Sequence, residues 1–266
     1  MSHNEVTSTI YGPVLSWRFG ESLGIDPIFQ TSICSFNCVY CQLGEIQKIT
    51  AERKVYVPTS QFEKDLEQFI SSNQKKIDVI TFSGSGEPTL ATNLGEMADL
   101  LKKKLPGIAL QVLTNSTLLL DPDVQKDLCK MDRVIVKLDA SDDKTLQMMN
   151  RPAAGITMDS IYRGILSFHQ VYQGELDVQI MFMHTNHHQL TNLSEMLKVI
   201  NPHTIQLNTP KRPYPLSWHR ETRGNHGAQV DYQTRKLKVL SAEEAKVIED
   251  TLRKNTGLNV LSIYRE

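Results

Sequence analysis

The sequence predicts an α/β protein: an open, partial (β/α)6 barrel of parallel strands, followed by a C-terminal loop, helix and short strand. Three observations lead to this prediction. Short β-rich runs alternate with helical periodicity through the middle of the chain. The strand runs are almost unbroken apolar stretches, which is typical of a parallel sheet buried on both faces. Polar residues or glycines follow the strands, where (β/α) barrels carry their active sites.

The elements begin with a predicted strand near 27–33. The next segment, 57–70, is predicted to be a helix whose Ser60 and Glu63 match a capping box. Residues 77–84 form an apolar strand that ends in glycine. The remaining elements repeat this alternation, with helices over 94–105, 121–130, 158–172 and 190–200 and strands over 109–115, 133–140, 176–184 and 203–210. About six strands result, and right-handed crossovers curl them into the open barrel. An open doubly wound sheet is the structural alternative.

The pattern changes after Pro210. The segment 211–238 has no clear periodicity and precedes a second capping box, formed by Ser241 and Glu244, that opens a terminal helix. A short strand over 259–264 ends the pattern. We therefore expect residues 1–210 to form the barrel with its N-terminal segment, and residues 211–266 to form an extension packed on the same domain.

Composition excludes several classes of protein. The net charge of -1 gives no overall attraction to nucleic acid or membranes. No run approaches 18 uncharged apolar residues, and the N-terminus lacks the basic and apolar regions of a secretory signal, so we expect no membrane contact. Four cysteines, three of them clustered, do not form a disulfide framework in 266 residues. We expect a reducing, cytoplasmic location.

The cysteine cluster is the strongest chemical signal. In CSFNCVYC, Cys34, Cys38 and Cys41 are separated by three and then two residues. A structural zinc site would take a fourth ligand from Cys129 or a histidine. A redox CxxC formed by Cys38 and Cys41 would leave Cys34 unused. The third interpretation is an iron–sulfur cluster held by three thiolates. Cys129 lies between apolar helical positions, where a buried, inert thiol is expected.

The motifs resemble those of the radical S-adenosylmethionine (radical SAM) enzymes. CxxxCxxC with an aromatic residue, Tyr40, before the third cysteine is the signature of that superfamily, and SGSGEP at 83–88 resembles its GGE-type motif. YGPVLSWRFGESLGIDPI and IQLNTPKRPYP resemble the subgroup that includes the wyosine tRNA-base synthases and uncharacterised relatives. Those synthases carry additional N-terminal cysteines, whereas none precedes Cys34 in this sequence.

The resemblance implies one 4Fe–4S cluster on the three cysteines, with an iron left open to chelate S-adenosylmethionine. An electron from the reduced cluster would then cleave this cofactor to a 5′-deoxyadenosyl radical. An oxygen-sensitive enzyme of this kind needs an electron donor such as a flavodoxin or ferredoxin. Its substrate is a tRNA base, a small anionic molecule, a peptide or a protein. From a different class, a non-catalytic zinc-stabilised α/β binding protein is the alternative.

The resemblance also implies a set of cofactor-binding residues. They are Tyr40, Gly84, Ser85, Gly86, Glu87, Asn115, Lys137, Asp139 and Asn208. The glycines would let the backbone approach the methionyl ammonium, with Glu87 as a carboxylate partner. Lys137 and Asp139 alternate on one strand and so point to the same face. We expect them to be the catalytic residues, serving the ribose hydroxyls or the methionyl carboxylate; the alternative is a plain salt bridge.

The segment 211–238 is the candidate substrate-binding element. Residues 210–239 contain seven Lys or Arg and two acids, interleaved with three aromatic residues. A long segment without periodicity in a compact domain is usually functional or disordered. We expect it to fold across the open mouth of the barrel, where Arg212 and Arg220 would contact an anionic substrate. The alternative is a basic surface loop without a role in the reaction.

Overall fold

The computed structural model of the chain describes residues 8–210, 214–219 and 232–264. The predicted substrate residues Arg212 and Arg220 lie outside the described residues. The strands are β1 Ile10–Ser16, β2 Gly20–Ile25, β3 Ile33–Cys34, β4 Lys48–Ile49, β5 Val79–Phe82, β6 Ala109–Thr114, β7 Arg133–Lys137, β8 Glu175–Met181, β9 Thr204–Asn208, β10 Tyr214–Pro215, β11 Thr234–Arg235 and β12 Val260–Ser262. The helices are α1 Thr59–Ser72, α2 Leu94–Lys104, α3 Pro122–Leu128, α4 Asp143–Met149, α5 Met158–Val171, α6 Leu190–Ile200 and α7 Ala242–Thr256.

Within the described residues, eight strands form one sheet in the order β1-β2-β5-β6-β7-β8-β9-β12. Every neighbouring pair is parallel except β1 and β2, which form an antiparallel hairpin at one edge. The sheet curls into an open half barrel with helices outside, so the predicted α/β fold class is confirmed. The C-terminal ends of its parallel strands all lie at one rim.

The central strands of the sheet lie in the core of the protein. All four residues of β5 are buried, as are the three central residues of β7. Helix α5 buries one face through Ile161, Ile165 and Phe168, which belong to the main core cluster. Residues three and four apart share a face of a helix, so this spacing directs all three side chains toward the sheet.

The first parallel strand is displaced from its predicted position at 27–33. It is β2, and the chain turns immediately after it because Asp26 Oδ1 accepts the backbone N–H groups of Ile28 at 3.1 Å and Phe29 at 2.8 Å. Phe29 has φ 69°, a left-handed conformation that no strand contains. The buried carboxylate of Asp26 therefore overrides the β propensity of the apolar residues that follow.

The two predicted capping boxes differ in outcome. The Ser60–Glu63 box is wrong, because α1 begins after Pro58 without a side-chain cap, and the nearby Thr59 hydroxyl donates to Glu96 at 2.7 Å. The box of Ser241 and Glu244 is confirmed: both of its hydrogen bonds are present at the start of α7. Helix α4 was not predicted.

The N-terminal hairpin closes the end of the barrel opposite the rim. The turn between β1 and β2 carries Trp17, Arg18 and Phe19. Arg18 reaches across the interior from this turn and donates to Gln206 on β9. The side chain of Tyr11 lies where a Cβ of Gly24 would otherwise be. The turn of the hairpin therefore forms a floor beneath the interior of the half barrel, and Tyr11 lies nearer the rim, where its hydroxyl is 2.7 Å from that of Ser83.

The C-terminal part returns to the rim and to the edge of the sheet. Helix α7 packs against α6, and β12 adds to the sheet beside β9. Strand β10 pairs with β11, and the adjoining His219 donates its backbone N–H to Leu43 at 2.9 Å. No helix in the described ranges is long and apolar enough to cross a membrane.

Candidate active site

A cavity of about 390 Å³ opens at the rim and extends into the half barrel. Ten of the predicted cysteine-ligand and cofactor residues line it: Cys34, Cys38, Tyr40, Cys41, Gly84, Gly86, Glu87, Asn115, Lys137 and Asn208. Ser85 and Asp139 do not line it. The strand ends therefore bring most of the predicted residues to one place, although they come from five separate segments of the chain.

The cysteine loop presents three thiols that accept hydrogen bonds from the protein. Cys34 Sγ accepts from the backbone N–H of Phe36 at 3.4 Å and from Asn115 Nδ2 at 3.5 Å. Cys38 Sγ accepts from Asn150 Nδ2 at 3.4 Å. The sulfur atoms of iron–sulfur centres receive hydrogen bonds of this kind, which adjust their reduction potentials.

Burial raises the pKa of all three thiols. Desolvation is the main cause in each case, and it raises the pKa of Cys41 to about 12. The positive charge of Lys137 opposes the shift at Cys38 and Cys41. Buried thiolates need a cationic partner, and a coordinated metal supplies one. The three thiols thus fit a metal centre whose binding to the protein releases their protons.

The described part of the site differs from a site built around a single metal ion such as zinc. Among the described residues, no three His, Cys, Asp or Glu side chains are placed to hold one metal ion together. In a cluster each thiolate binds a different iron, so the sulfurs need not converge on one point. Cys129 is exposed at the end of α3 rather than buried as expected, and it does not line the cavity. Helix α3 ends before this residue, which leaves the thiol at the surface.

Gly86, which follows β5, lets that strand end approach the cysteine loop. A Cβ on Gly86 would overlap the carbonyl of Ile33, and Glu87 donates its backbone N–H to that carbonyl at 3.1 Å. Ser85 points away from the cavity and donates its hydroxyl to Asp26 at 2.6 Å. Gly86 therefore serves the packing of the cysteine loop, whereas the Cβ position of Gly84 faces Asp26; both glycines also form part of the cavity wall.

Glu87 holds the end of β6 through its carboxylate. The side chain accepts from the Thr89 hydroxyl at 2.7 Å, the Thr114 hydroxyl at 2.6 Å and the Asn115 backbone at 2.7 Å, besides the Thr89 backbone. Burial raises its pKa, and the hydrogen bonds oppose that shift. Because Asn115 also donates to Ser35 at 2.8 Å, Glu87 links two strand ends to the cysteine loop.

Asp139 lies behind Tyr40 in a buried network. Its Oδ2 accepts from Tyr40 Oη and from Asn150 Nδ2, the latter at 2.8 Å, and lies 3.5 Å from Lys137 Nζ. Its Oδ1 accepts the backbone N–H of Met181 at 2.8 Å. The predicted alternation of Lys137 and Asp139 therefore brings the pair together as an ion pair. Only Lys137 reaches the cavity, and its Nζ lies 5.1 Å from the centre of the Tyr40 ring.

Three residues of this site were not predicted from the sequence. Asn150 follows α4 and donates to Cys38, Tyr40 and Asp139; its only sequence signal was a polar residue before Arg-Pro. Arg235 donates to the carbonyl of Val39 at 3.1 Å from nearly 200 residues away, which no local pattern reveals. Gln179 lines the cavity from a strand that reads as ordinary sheet.

The fold and this three-cysteine cavity define a class of enzyme. The model of the Radical SAM superfamily matches residues 28–190, and the chain belongs to that superfamily. It is a radical SAM enzyme, and the family implies S-adenosylmethionine and an iron–sulfur cluster as cofactors.

Within that superfamily, the chain is similar to the UPF0026 proteins. UPF0026 protein slr1464 of Synechocystis sp. is 44% identical over 255 residues, which cover 96% of this chain and 94% of the relative. UPF0026 protein MJ1312 of Methanocaldococcus jannaschii is 37% identical over 76% of this chain and 64% of its own length.

Two solved structures share the fold at low sequence identity. The structure of TYW1 with a lysine-pyruvate adduct bound has a TM-score of 0.62 and 15% identity, covering 90% of this chain and 76% of that one. Native anSMEcpe with bound AdoMet has a TM-score of 0.62 and 16% identity, covering 91% of this chain and 64% of that one. At these identities the likeness concerns the fold alone.

Proposed function

We propose that Cys34, Cys38 and Cys41 hold one 4Fe–4S cluster and that the enzyme reductively cleaves S-adenosylmethionine at the rim of the half barrel. One observation carries the proposal: the three thiols and the Gly84–Glu87 segment line the same cavity, packed against each other through Gly86 and Ile33. Three protein ligands leave one iron for the cofactor, as catalytic metal sites keep one position open.

A cluster held by these three cysteines would supply the one electron that reductive cleavage of a carbon–sulfur bond of S-adenosylmethionine requires, with methionine and a 5′-deoxyadenosyl radical as the products. The protein residues bind and orient the cofactor. Lys137 pairs with the methionyl carboxylate, because its ammonium lies beside the cysteine loop and reaches the cavity. Gly84, Gly86 and Asn115 form the adjacent wall. Asp139 acts by positioning, since its hydrogen bonds fix Tyr40 and its ion pair fixes Lys137.

The reductant and the substrate complete the proposal. A low-potential one-electron donor such as a flavodoxin or ferredoxin reduces the cluster in the cytoplasm. The substrate is a tRNA base or a small anionic molecule. The C-terminal extension covers the cavity in this proposal. Its Arg235 and His219 support this role, because they donate hydrogen bonds to the carbonyls of Val39 and Leu43 in and beside the cysteine loop. A site that excludes water protects a reactive radical from side reactions.

Anaerobic reconstitution tests this function. The protein is loaded with iron and sulfide, reduced with dithionite and incubated with S-adenosylmethionine, and 5′-deoxyadenosine and methionine are quantified. We expect about four irons and four sulfides per chain, since a cubane contains four of each, and slow formation of both products. One zinc per chain without sulfide would instead support the zinc-stabilised binding protein. A cluster without either product would refute the cleavage reaction.

A further inference from the structure

Arg235 places a positive charge against the cysteine loop from outside the cavity. It lies on β11, and its Nη1 donates to the carbonyl of Val39 at 3.1 Å. Val39 lies between Cys38 and Cys41 in the sequence, and neither Val39 nor Arg235 is among the residues that line the cavity. The guanidinium therefore lies beside the loop segment that joins two of the three thiols.

The position of this charge is fixed by the packing around it. Strand β11 pairs with β10, where Arg235 lies opposite Tyr214. Leu237, two residues further along the chain, and Val39 both pack against one buried hydrophobic group that contains Tyr40 and Tyr214. Arg235 itself is half-buried. The extension thus holds the guanidinium in place against the loop.

No carboxylate of the described residues neutralises Arg235. Within that part of the chain its side chain forms no ion pair, and it donates to the carbonyl of Val39. The partly buried arginines Arg53, Arg133 and Arg253, by contrast, each pair with two carboxylates. A charge that is withdrawn from water favours a counter-ion. Arg235 therefore differs from these three arginines in lacking a carboxylate partner among the described residues.

Lys137 provides a second comparison, on the cavity side of the loop. Its Nζ lies 3.5 Å from the carboxylate of Asp139, so its charge is partly compensated within the protein. Burial raises the pKa of Cys41 to about 12, and the positive charges of Lys137 and Arg235 oppose that shift. The charge of Arg235 thus acts on a predicted iron ligand although the guanidinium lies outside the cavity.

A charge in this position affects electron transfer to the loop. Reduction of an iron–sulfur cluster adds one electron and makes it more negative, so a fixed cation nearby favours the reduced form over the oxidised one. Net charge, hydrogen bonds and exposure to solvent set the potentials of such clusters. A cation outside the cavity has this effect without taking up space that the cofactor needs.

We propose that Arg235 raises the reduction potential of the iron–sulfur cluster and so makes its reduction easier. The inference rests on the proposed function, which places the cluster on Cys34, Cys38 and Cys41. The electron passes from the low-potential donor to the cluster, and no proton moves, because the guanidinium of Arg235 stays protonated throughout. The contribution of Arg235 is electrostatic, and its hydrogen bond to Val39 keeps the charge in position.

Redox titration of the reconstituted protein with mediator dyes, followed by visible absorbance and electron paramagnetic resonance, tests the proposal. Arg235→Gln removes the charge but keeps an N–H donor for Val39. We expect it to lower the equilibrium constant for reduction at least about threefold, or about 28 mV for a one-electron couple. Arg235→Lys keeps the charge and should stay closer to the parent. Lys236→Gln, the same change of charge at the adjacent exposed residue, is the control and should shift the potential less.

Salt provides a further measurement that a purely structural role would not change. The difference in potential between the parent and Arg235→Gln should shrink in about 1 M salt, because mobile ions screen the charge. Should Arg235→Gln fail to bind iron, Arg235→His gives the comparison within one protein, since a histidine changes its charge near about pH 6.5. Its potential should then fall more steeply across that pH than the potential of the parent.

The outcomes separate this inference from the proposed function. If the parent binds no iron and sulfide, both are wrong. If it forms a cluster but does not cleave S-adenosylmethionine, the cleavage reaction fails, whereas the potentials still test Arg235. Equal potentials in the parent and Arg235→Gln, an equal fall in Lys236→Gln, or a fall in Arg235→Lys as large as in Arg235→Gln would overturn the electrostatic role. Equal pH slopes in the parent and Arg235→His would overturn it as well.

Discussion

Asn150 is the residue whose replacement should reveal how the cysteine loop is held. Its Nδ2 lies 2.8 Å from Tyr40 Oη, 2.8 Å from Asp139 Oδ2 and 3.4 Å from Cys38 Sγ. It thus supports a buried carboxylate, the tyrosine of the cysteine motif and Cys38, one of the proposed cluster ligands, at once. Asn150→Ala removes all three contacts while leaving the fold of α4 intact.

The expected loss of stability follows from the charge of Asp139. A hydrogen bond to a charged group contributes about 1.5–3 kcal/mol, and one between neutral groups about 1 kcal/mol. Asn150 Oδ1 is buried without a partner, and its removal offsets part of the loss. We expect a net destabilisation of about 2 kcal/mol. For a chain of this size that lowers Tm by about 4–8 °C.

Thermal unfolding of the iron-free, reduced protein measures this loss, with Asn73→Ala as the matched control. Asn73 donates to the Lys75 carbonyl at 2.9 Å at the surface, and its removal should cost less than about 1 kcal/mol. A double-mutant cycle with Asp139→Asn should give a coupling energy of about 1 kcal/mol or more. Additive effects of the two changes, or a Tm drop equal to that of Asn73→Ala, would refute the network as a support of the loop.

Three further outcomes are expected. The cluster should be lost in each of the variants Cys34→Ala, Cys38→Ala and Cys41→Ala and retained in Cys129→Ala. Iron content and visible absorbance measure this, and loss of iron in Cys129→Ala would contradict the three-ligand site. Lys137→Met should keep its iron but bind S-adenosylmethionine at least tenfold more weakly in anaerobic titrations; unchanged affinity means that the methionyl carboxylate lies elsewhere. The iron-free protein should lose stability as pH rises above about 9, because burial raises the pKa of Cys41 to about 12 and the unfolded chain releases thiol protons that the folded one retains. Urea midpoints measured from about pH 8 to about pH 10 should fall less in Cys41→Ala, and equal slopes would exclude this thiol as the cause.

Most of the sheet could be predicted from the sequence, because apolar runs of this kind are compatible with few structures other than buried parallel strands. Strand β5 and helix α5 lie where their patterns place them. The start of the barrel was misplaced because Asp26 turns the chain through hydrogen bonds that no hydrophobic pattern records. Helix α1 likewise began without the predicted cap.

The site was predictable where its chemistry follows local spacing. The three cysteines and the glycine segment could be recognised by their intervals. Asp139 could be predicted only in part. Alternation along the strand predicted that it shares a face with Lys137, whereas the hydrogen bond from Tyr40 to its carboxylate depends on tertiary packing. The role of Asn150 became visible only through the hydrogen bonds of the folded chain.

The distant contacts of the cysteine loop have a consequence for how the enzyme is made. Asn150 lies 112 residues beyond Cys38, and Arg235 lies 196 residues beyond Val39. Contacts of such separation form late, because the entropy of closing the long loops must be overcome first. During synthesis the three thiols emerge from the ribosome well before their partners. The loop therefore passes through a period in which it is open to oxidation, and cluster insertion is expected to follow completion of the chain.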